Sequence, residues 1–297
     1  MKILITGAAG MLAAEVIPVL LKAGHDLVQT DINQRLPDIE ALDVSDADAV
    51  FERVLRAKPD YIFHLAAETN VDLCEKEPDH AFKVNGEGTE NIVKACKASG
   101  AGLVYISTGN VFNGEKKTPF IESDVMGGCV NIYGRSKLRG EEAVVGVLTR
   151  YFIIRAGWMV GGWELDKKFV YKIIQQLKNG KKELIAVSDK VGTPTFTRDF
   201  AANLINVVSS KKYGLYHMAN KGTCSRYDMA VKIVEYMGLA GKVKVDPVDS
   251  SRFPLPAPRP YSEMLENRNL ELMGLNNMPH WEESLRRYIE ENRFSSF

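Results

Sequence analysis

Short apolar runs alternate with helical segments through the first half of the chain. The runs lie at residues 2–6, 25–31, 41–44, 61–67 and 103–108. The segments between them have the apolar spacing of helices, such as Val16, Val19 and Leu20 after the first run. Strands that alternate with helices predict a parallel sheet with right-handed crossovers. We therefore expect an α/β fold built on a Rossmann-type, doubly wound parallel sheet.

The second half of the chain continues this alternation and then changes in composition. We expect strands at 183–187 and 215–218, a turn at 191–195, and helices at 168–179, from Asp199, at 225–237 and at 281–292. The proline-rich stretch at 253–260 cannot form a regular helix or a central strand, so we expect an ordered surface segment over the ligand cleft.

Two structural units are expected from this order of elements. The dinucleotide-binding Rossmann domain comprises residues 1–158 plus about 182–218. A smaller C-terminal substrate-binding lobe comprises about 159–181 and 219–297.

A glycine-rich turn, Gly7-Ala-Ala-Gly10-Met-Leu-Ala13, follows the first strand and opens a helix. A tight turn at Gly7 and close approach of the backbone at Gly10 let a dinucleotide pyrophosphate bind N–H groups at a helix N-terminus, where the dipole favours negative charge. The third small residue of this fingerprint is Ala13. We expect Gly7, Gly10, Met11 and Leu12 to contact the cofactor.

The acid that ends the second strand bears on the choice of cofactor. Asp31 lies about 20 residues beyond the turn, where a carboxylate accepts from the adenosine ribose and favours NADH. Arg35 lies close enough to receive a 2′-phosphate, so NADPH stays open. Asp43 and Val44 end the third run, and Asp43 is either a loop acid or a contact to the adenine amine.

Small and hydroxylated residues end the next two strands, at the edge where doubly wound sheets bind ligands. Ala66 and Ala67 leave room for a cofactor, and Thr108 is placed to hydrogen-bond a substrate carbonyl. Tyr133 and Lys137 lie one turn apart in a segment expected to be helical at 131–146.

The spacing of Tyr133 and Lys137 suggests a proton donor and a neighbouring cation that lowers the pKa of that donor. A tyrosine donates a proton near neutral pH only if its pKa of about 10 is lowered, and an adjacent cation has that effect. Together with Thr108 and the glycine turn, the pair indicates hydride transfer between a nicotinamide and a carbonyl, with Tyr133 protonating the oxygen.

Charge and hydropathy argue against several other partners. The 38 Lys and Arg balance the 38 Asp and Glu, so no basic excess indicates nucleic acid or an anionic membrane surface. No apolar run approaches the roughly 20 residues of a membrane span, and the first is too short for a signal sequence. We expect a soluble cytoplasmic protein, with reduced cysteines at the widely spaced positions Cys74, Cys96, Cys129 and Cys224.

Over nearly its whole length the chain resembles the extended short-chain dehydrogenase/reductases, and within them the dTDP-4-dehydrorhamnose reductase family. The resemblance is carried by Gly7-Ala-Ala-Gly10-Met-Leu, His64-Leu-Ala-Ala67-x-Thr69-x-Val71-Asp72-x-Cys-Glu75-x-x-Pro78, Val84-Asn85, Ser107-Thr108-x-x-Val-Phe112-x-Gly114, Tyr133-Gly-Arg-Ser-Lys137-x-x-Gly-Glu141, Gly192-x-Pro194-Thr195-x-x-x-Asp199 and Pro256-Ala-Pro-Arg259-Pro260. The acidic stretch after the alanine pair and the late Pro-Arg-Pro favour this family over epimerases and dehydratases with the same sheet.

The resemblance implies a reaction and the residues that perform it. The expected reaction is NADH- or NADPH-dependent reduction of the C4 ketone of a nucleotide-activated 6-deoxyhexulose, with dTDP-4-dehydrorhamnose the leading candidate. Thr108, Tyr133 and Lys137 would be catalytic, and Lys137 would also hold the nicotinamide ribose and lower the pKa of Tyr133. Thr69, Val71 and Trp158 would line the substrate site, and we expect Thr108 and Asn110 there as well. Arg259 is a further candidate on chemical grounds: it is either a planar phosphate contact or a solvent-facing residue of the proline segment.

Two departures from the family pattern leave the sugar open. The family usually follows the strand-end Ser-Thr with Asp-Tyr, whereas this chain has Gly109-Asn110 and so lacks a carboxylate and an aromatic ring beside the sugar. The family's Asn before Phe169 is here Lys168. One alternative is therefore a 4-ketoreductase of a different nucleotide sugar. Another is a non-catalytic dinucleotide-binding regulatory subunit resembling that of methionine adenosyltransferase.

Assembly and metal binding also follow from the resemblance. We expect a homodimer, and some relatives bridge a dimer with Mg²⁺ through a glutamate of the first helix. Glu15 occupies that position and is a magnesium candidate.

Overall fold

The computed structural model describes residues 1–166 and 168–292. Its strands are β1 (Lys2–Thr6), β2 (Asp26–Asp31), β3 (Ile39–Ala41), β4 (Tyr61–His64), β5 (Gly102–Thr108), β6 (Tyr151–Ala156), β7 (Trp158–Val160), β8 (Glu183–Val187), β9 (Val191–Gly192), β10 (Pro194–Phe196), β11 (Gly214–His217), β12 (Cys224–Ser225), β13 (Lys244–Val248) and β14 (Ser262–Glu263). Its α-helices are α1 (Ala13–Lys22), α2 (Ala47–Ala57), α3 (Val71–Lys76), α4 (Pro78–Ala81), α5 (Gly88–Ser99), α6 (Ile132–Val147), α7 (Phe169–Lys178), α8 (Thr197–Ser209), α9 (Arg226–Tyr236), α10 (Arg268–Leu272) and α11 (Trp281–Glu291).

The centre of the fold is a seven-stranded sheet in the order β11-β6-β5-β4-β1-β2-β3. Every neighbouring pair in this sheet is parallel. The direction of winding reverses beside β1, because β1 lies between β2 on one side and β4 on the other. Open sheets of this kind bind ligands at such a reversal, outside the carboxyl ends of the strands. The predicted doubly wound parallel sheet is confirmed.

Helices cover both faces of the central sheet because its strands are apolar on both sides. Ile3 and Ile5 of β1 pack in a buried cluster with residues of α1 and α8, such as Phe200. Leu4, which points to the opposite face, packs in a second cluster with residues of α2 and α5, such as Val50 and Ile92. This double burial fixes the carboxyl edge of the sheet in place.

A separate apolar cluster stabilises the smaller part of the molecule. It joins α7, α9 and α11 through buried residues such as Ile174, Ile233 and Leu285. Three small sheets surround it: β10 with β7, β9 between β12 and β14, and β13 with β8. Strand β8, which the predicted division assigns to the Rossmann domain, thus pairs with β13 outside the central sheet. The division of the chain into two units remains a prediction.

Two local predictions were wrong in detail. The expected turn at 191–195 forms β9 and β10, because β12, β14 and β7, all distant in sequence, provide their pairing partners. The third strand ends at Ala41 rather than at Val44, because the Asp43 carboxylate accepts from the Ser45 N–H at 2.8 Å and turns the chain.

The four cysteines are free and buried, as expected. None of the helices that the structure describes is both long and apolar enough to cross a membrane.

Candidate active site

The glycine turn after β1 leaves backbone donors unpaired. Gly7 has a φ of +74°, and a Cβ at this position would lie 2.5 Å from the backbone nitrogen of Ala66. The N–H groups of residues 11–13 have no acceptor among the described residues, and α1 begins without a side-chain cap. Unpaired N–H groups at a helix start bind anions. The turn therefore fits the phosphates of a dinucleotide.

The Asp31 carboxylate braces this turn. One of its oxygens accepts from the Ala9 N–H at 2.9 Å and the other from the Asn33 N–H at 2.7 Å. Arg35 lies nearby in sequence and is exposed. Asp31, which was expected to determine the preference for NADH or NADPH, thus also stabilises the glycine turn itself.

Of the other predicted cofactor residues, Asp43 is exposed and Val44 is buried in the core beneath α5. The Val44 carbonyl accepts from Asn91 Nδ2 at 3.1 Å. Ala66 and Ala67 are half-buried at the end of β4, beside Gly7. The alanine pair and the glycine turn therefore meet at the edge where the sheet reverses.

The three predicted catalytic residues come together at the end of β5. The hydroxyl of Thr108 hydrogen-bonds the phenol of Tyr133. Lys137 is buried one turn further along α6, with its ammonium 4.1 Å from the centre of the Tyr105 ring. Asn131 begins the helix, and its side chain accepts from the Gly134 N–H at 2.9 Å.

The close approach of α6 to residues 109–111, the turn that follows β5, depends on Gly134. A Cβ there would lie 2.2 Å from the backbone oxygen of Asn110, so only glycine allows this contact. The Tyr-Gly pair in the sequence therefore has a packing reason as well as a chemical one.

Burial raises the pKa of Tyr133 well above its ordinary value, while the hydrogen bond from Thr108 acts in the opposite direction. Burial lowers the pKa of Lys137 to about 7, against the attraction of Glu141. The expected lowering of the tyrosine pKa is not met in the free protein, because removal from water has the largest effect on Tyr133 and raises its pKa. Tyr133 carries its proton at neutral pH, which is the form that a proton donor requires.

A carboxylate that the sequence analysis did not single out lies between two of the predicted substrate residues. Glu263 accepts from Asn110 Nδ2 at 2.7 Å and from Trp158 Nε1 at 2.9 Å. The guanidinium of Arg226 lies 3.7 Å from the centre of the Trp158 ring. Sequence reasoning missed Glu263 and Arg226 because neither belongs to a local motif, and both reach Trp158 only through the fold.

The remaining predicted substrate residues lie near α3. Thr69 is exposed and Val71 begins the helix. Arg259 forms an ion pair with Asp72 at 3.0 Å and donates to the Ala257 carbonyl at 2.7 Å. Its guanidinium is thus already engaged by the protein, unlike that of Arg226, which has no ion-pair partner among the described residues.

Two asparagines support the site, although the sequence analysis gave neither of them a functional role. Asn85 lies in a π-helical segment, Phe82–Glu87, of the kind often found at functional sites. Its Oδ1 accepts from the Glu68 N–H at 2.9 Å, and its Nδ2 donates to Ser136 Oγ at 3.0 Å. Asn131 Nδ2 donates to Asn110 Oδ1 at 3.0 Å. The Val84-Asn85 motif was the available sequence signal for the first of these.

Glu15, the magnesium candidate, lies close to charged residues of α8 and α11. Burial raises its pKa, Arg198 opposes that effect, and Arg198 itself pairs with Glu291. Residues 1–166 and 168–292 contain no group of three acidic, His or Cys side chains that could hold a metal ion. Magnesium binding remains a prediction.

A doubly wound parallel sheet, a glycine turn after β1 and a buried Thr-Tyr-Lys set after β5 are the features of a short-chain dehydrogenase/reductase. More narrowly, residues 1–294 match the RmlD substrate binding domain, and the chain belongs to that family.

Named relatives extend over almost all of the chain. The dTDP-4-dehydrorhamnose reductase of Mycolicibacterium smegmatis is 37% identical over 286 residues, which are 96% of this chain and 84% of the relative. A crystal structure of a dTDP-4-dehydrorhamnose reductase from Clostridium acetobutylicum superposes with a TM-score of 0.91 at 38% identity, covering 99% of this chain and 100% of that one. The Bacillus anthracis reductase in complex with NADP gives 0.89 at 34% identity, covering 98% and 99%.

Proposed function

We propose that the protein reduces the C4 ketone of a nucleotide-activated 6-deoxyhexulose, converting dTDP-4-dehydrorhamnose to dTDP-rhamnose in rhamnose biosynthesis. The observation that carries this proposal is the buried set of Thr108, Tyr133 and Lys137 at the same sheet edge as the glycine turn. The names of the relatives support the substrate.

NADPH is the proposed reductant, with NADH as the alternative. The unpaired N–H groups of residues 11–13 would hold the pyrophosphate, and exposed Arg35 would hold a 2′-phosphate. The NADP complex of the Bacillus anthracis relative supports this choice. When bound, the nicotinamide supplies the hydride.

The protein's own residues supply the proton and the orientation. Tyr133 donates its phenolic proton to the C4 oxygen, and Thr108 hydrogen-bonds Tyr133 and fixes its hydroxyl beside the carbonyl. Lys137, positioned one turn along α6, provides a cation for the nicotinamide ribose. Its pKa of about 7 means that it gains a proton readily when anionic phosphates bind near it.

The substrate would lie against Thr69, Val71, Asn110 and Trp158. We place its diphosphate beside Arg226, because this guanidinium stacks on Trp158 and forms no ion pair among the described residues, although the charge of Glu263 lies close enough to interact with it. Lys168 adds a second cation near Arg226: burial lowers the pKa of Lys168, and the charge of Arg226 lowers it further.

The substitution Tyr133→Phe tests the reaction. Loss of the proton donor should reduce kcat about 100-fold or more and leave NADPH affinity nearly unchanged. Tyr261→Phe, at an exposed tyrosine, is the matched control and should retain full activity. The measurement is oxidation of NADPH at 340 nm with dTDP-4-dehydrorhamnose. A Tyr133→Phe protein with wild-type turnover would overturn the mechanism.

Two alternatives give different results in the same assay. A reductase of another sugar should turn over a different member of a panel of nucleotide 4-keto sugars, an outcome favoured by Gly109-Asn110. A regulatory subunit should bind NADPH without oxidising it with any of them. A cytoplasmic location and a homodimer complete the proposal, and sedimentation of the purified protein measures the second.

A further inference from the structure

The carboxylate of Glu263 joins two sides of the proposed substrate site. It is held from one side by Asn110, two residues beyond Thr108, and from the other by the indole of Trp158 in β7. The Asn110 carboxamide also lies 3.4 Å from Thr108 Oγ1. Glu263 is therefore connected through one side chain to the residue that hydrogen-bonds the proton donor.

The hydrogen-bonding capacity of Glu263 is not exhausted by these contacts. Each carboxylate oxygen accepts one hydrogen bond, whereas an ionised carboxylate offers about four acceptor positions. Glu263 is half-buried rather than enclosed. It forms no ion pair with any described residue, although Arg226 is close enough for the two charges to interact. A polar ligand can therefore reach it.

The chemistry that matches this arrangement is a sugar hydroxyl. A carboxylate accepts strongly from a hydroxyl, which brings no charge of its own to the site. An anionic phosphate would be repelled at this position, so it belongs on the Arg226 side of Trp158. The two faces of the site thus differ in charge.

We infer that Glu263 is a substrate-specificity residue that accepts a hydrogen bond from the C2 or C3 hydroxyl of the sugar and holds Asn110 and Trp158 in position. This inference rests on the proposed function. It also assigns a carboxylate to the sugar side of a site whose strand-end residue, Gly109, has none.

The test compares wild type and Glu263→Gln on the complete nucleotide 4-keto sugar and on analogues that lack the C2 or the C3 hydroxyl. A hydrogen bond to a charged group is worth about 10- to 100-fold in kcat/KM. Glu263→Gln should lose that factor on the complete sugar and less than about threefold on the analogue without the recognised hydroxyl. Glu266→Gln, three residues further on at an exposed position, is the control and should lose nothing.

Several outcomes would overturn the inference. Equal losses on all three sugars would show that Glu263 only supports the fold, and no loss on any would show no role. If Glu263→Gln fails to fold, wild type alone decides: it should discriminate against one deoxy analogue by about 10-fold or more. Equal turnover of all three sugars by wild type would contradict the assignment.

Binding measurements separate this inference from the proposed reaction. Calorimetry with the reduced nucleotide sugars, with and without the C2 or C3 hydroxyl, compares affinities without turnover. If no sugar is reduced but Glu263→Gln still weakens binding only of hydroxylated sugars, the reaction is wrong and the specificity residue stands. If the sugar is reduced but its binding is unaffected by Glu263→Gln, the proposed reaction stands and the assignment of Glu263 as a specificity residue is wrong.

Discussion

At the scale of single residues, Lys137 shows a conflict between stability and function. Its ammonium is buried and lies over the Tyr105 ring, and it has no ion-pair partner among the described residues. Burial lowers its pKa to about 7 from an ordinary value of 10.5. The folded protein therefore binds this proton more weakly than the unfolded chain does, and at neutral pH and below the buried charge destabilises the fold.

Lys137→Met should raise the stability of the free protein while abolishing activity. Between pH 7 and 10.5 the unfolded chain holds the proton that the folded protein has lost, so this residue's contribution to stability rises with pH across that range and is least favourable below pH 7. The gain in unfolding free energy should therefore be about 2 kcal/mol or more at pH 6 and fall towards zero near pH 10.

Urea denaturation at pH 6, 8 and 10 measures this difference. Lys172→Met, at an exposed position on α7, is the control, and its effect on stability should be small at all three pH values. A Lys137→Met protein that is less stable than wild type at pH 6 would show that the ammonium is compensated in the fold.

Contacts between single residues could be predicted from the sequence where both residues lie on the same helix. Tyr133 and Lys137 lie on one helix, so their spacing alone predicts a shared face. Glu263 could not be found in this way, because its two partners belong to segments 153 and 105 residues away. The pKa of Tyr133 was misjudged for a related reason: burial is a property of the whole fold.

At the scale of elements, a buried ion pair ties α6, which carries Tyr133 and Lys137, to the sheet. Arg155 of β6 donates to both oxygens of Glu141 of α6, with Nε–Oε1 and Nη2–Oε2 distances of 2.9 and 2.6 Å. Ser107 of β5 donates to the same carboxylate. Both charged side chains are buried, so this bidentate contact sets the height of α6 above β5 and β6.

Glu141→Ala should destabilise the protein by about 3–5 kcal/mol, because it leaves the Arg155 guanidinium buried without its partner. The double substitution Glu141→Met with Arg155→Met should recover most of that loss, since two apolar side chains replace two charges. Arg139→Ala is the control: it lies on α6 like Glu141, breaks a half-exposed pair with Glu90 of α5, and should cost under about 1 kcal/mol.

Guanidinium denaturation gives these free energies, and steady-state kinetics shows whether α6 has moved. A double variant as unstable as Glu141→Ala would mean that the pair contributes net stability rather than position. Full stability of the single variant would mean that Arg155 finds another partner.

Strands and helices that are determined by their own local sequence were predicted correctly, and those that depend on distant pairing partners were not. The strands of the central sheet are continuous apolar runs, and their alternation with helices was sufficient to predict a parallel sheet. β9 and β10 were read as a turn because Gly192 and Pro194 are turn residues in isolation. Their pairing with β12, β14 and β7 is a long-range effect that overrides local preference.

At the scale of the whole molecule, the site is closed by contacts between distant parts of the chain. The segment around Pro258 joins the central part of the fold at two points. Asp72 of α3 pairs with Arg259 and also accepts from the Ala257 N–H at 3.2 Å, and Asn131 donates to the Pro258 carbonyl at 3.1 Å. The predicted surface segment is thus attached to both helices that border the site.

This attachment offers Arg259 a second role beside the predicted phosphate contact, and a double-mutant cycle distinguishes the two. If Arg259 holds the segment through Asp72, then Asp72→Asn and Arg259→Gln should each raise the KM for the nucleotide sugar roughly two- to fivefold, as expected for a partly exposed ion pair. The double variant should lose no more than either single one, because the two residues act as a unit.

A phosphate contact predicts a different pattern. Arg259→Gln would then lose about 10-fold or more in affinity for dTDP, Asp72→Asn would lose little, and the losses would multiply in the double variant. Arg226→Gln provides the comparison, because its guanidinium has no such partner and should show that larger loss of dTDP affinity by itself. Exposed Arg252→Gln is the control and should bind dTDP as wild type does. Multiplying losses at Asp72 and Arg259 would move the diphosphate to Arg259 and leave Arg226 as a packing partner of Trp158.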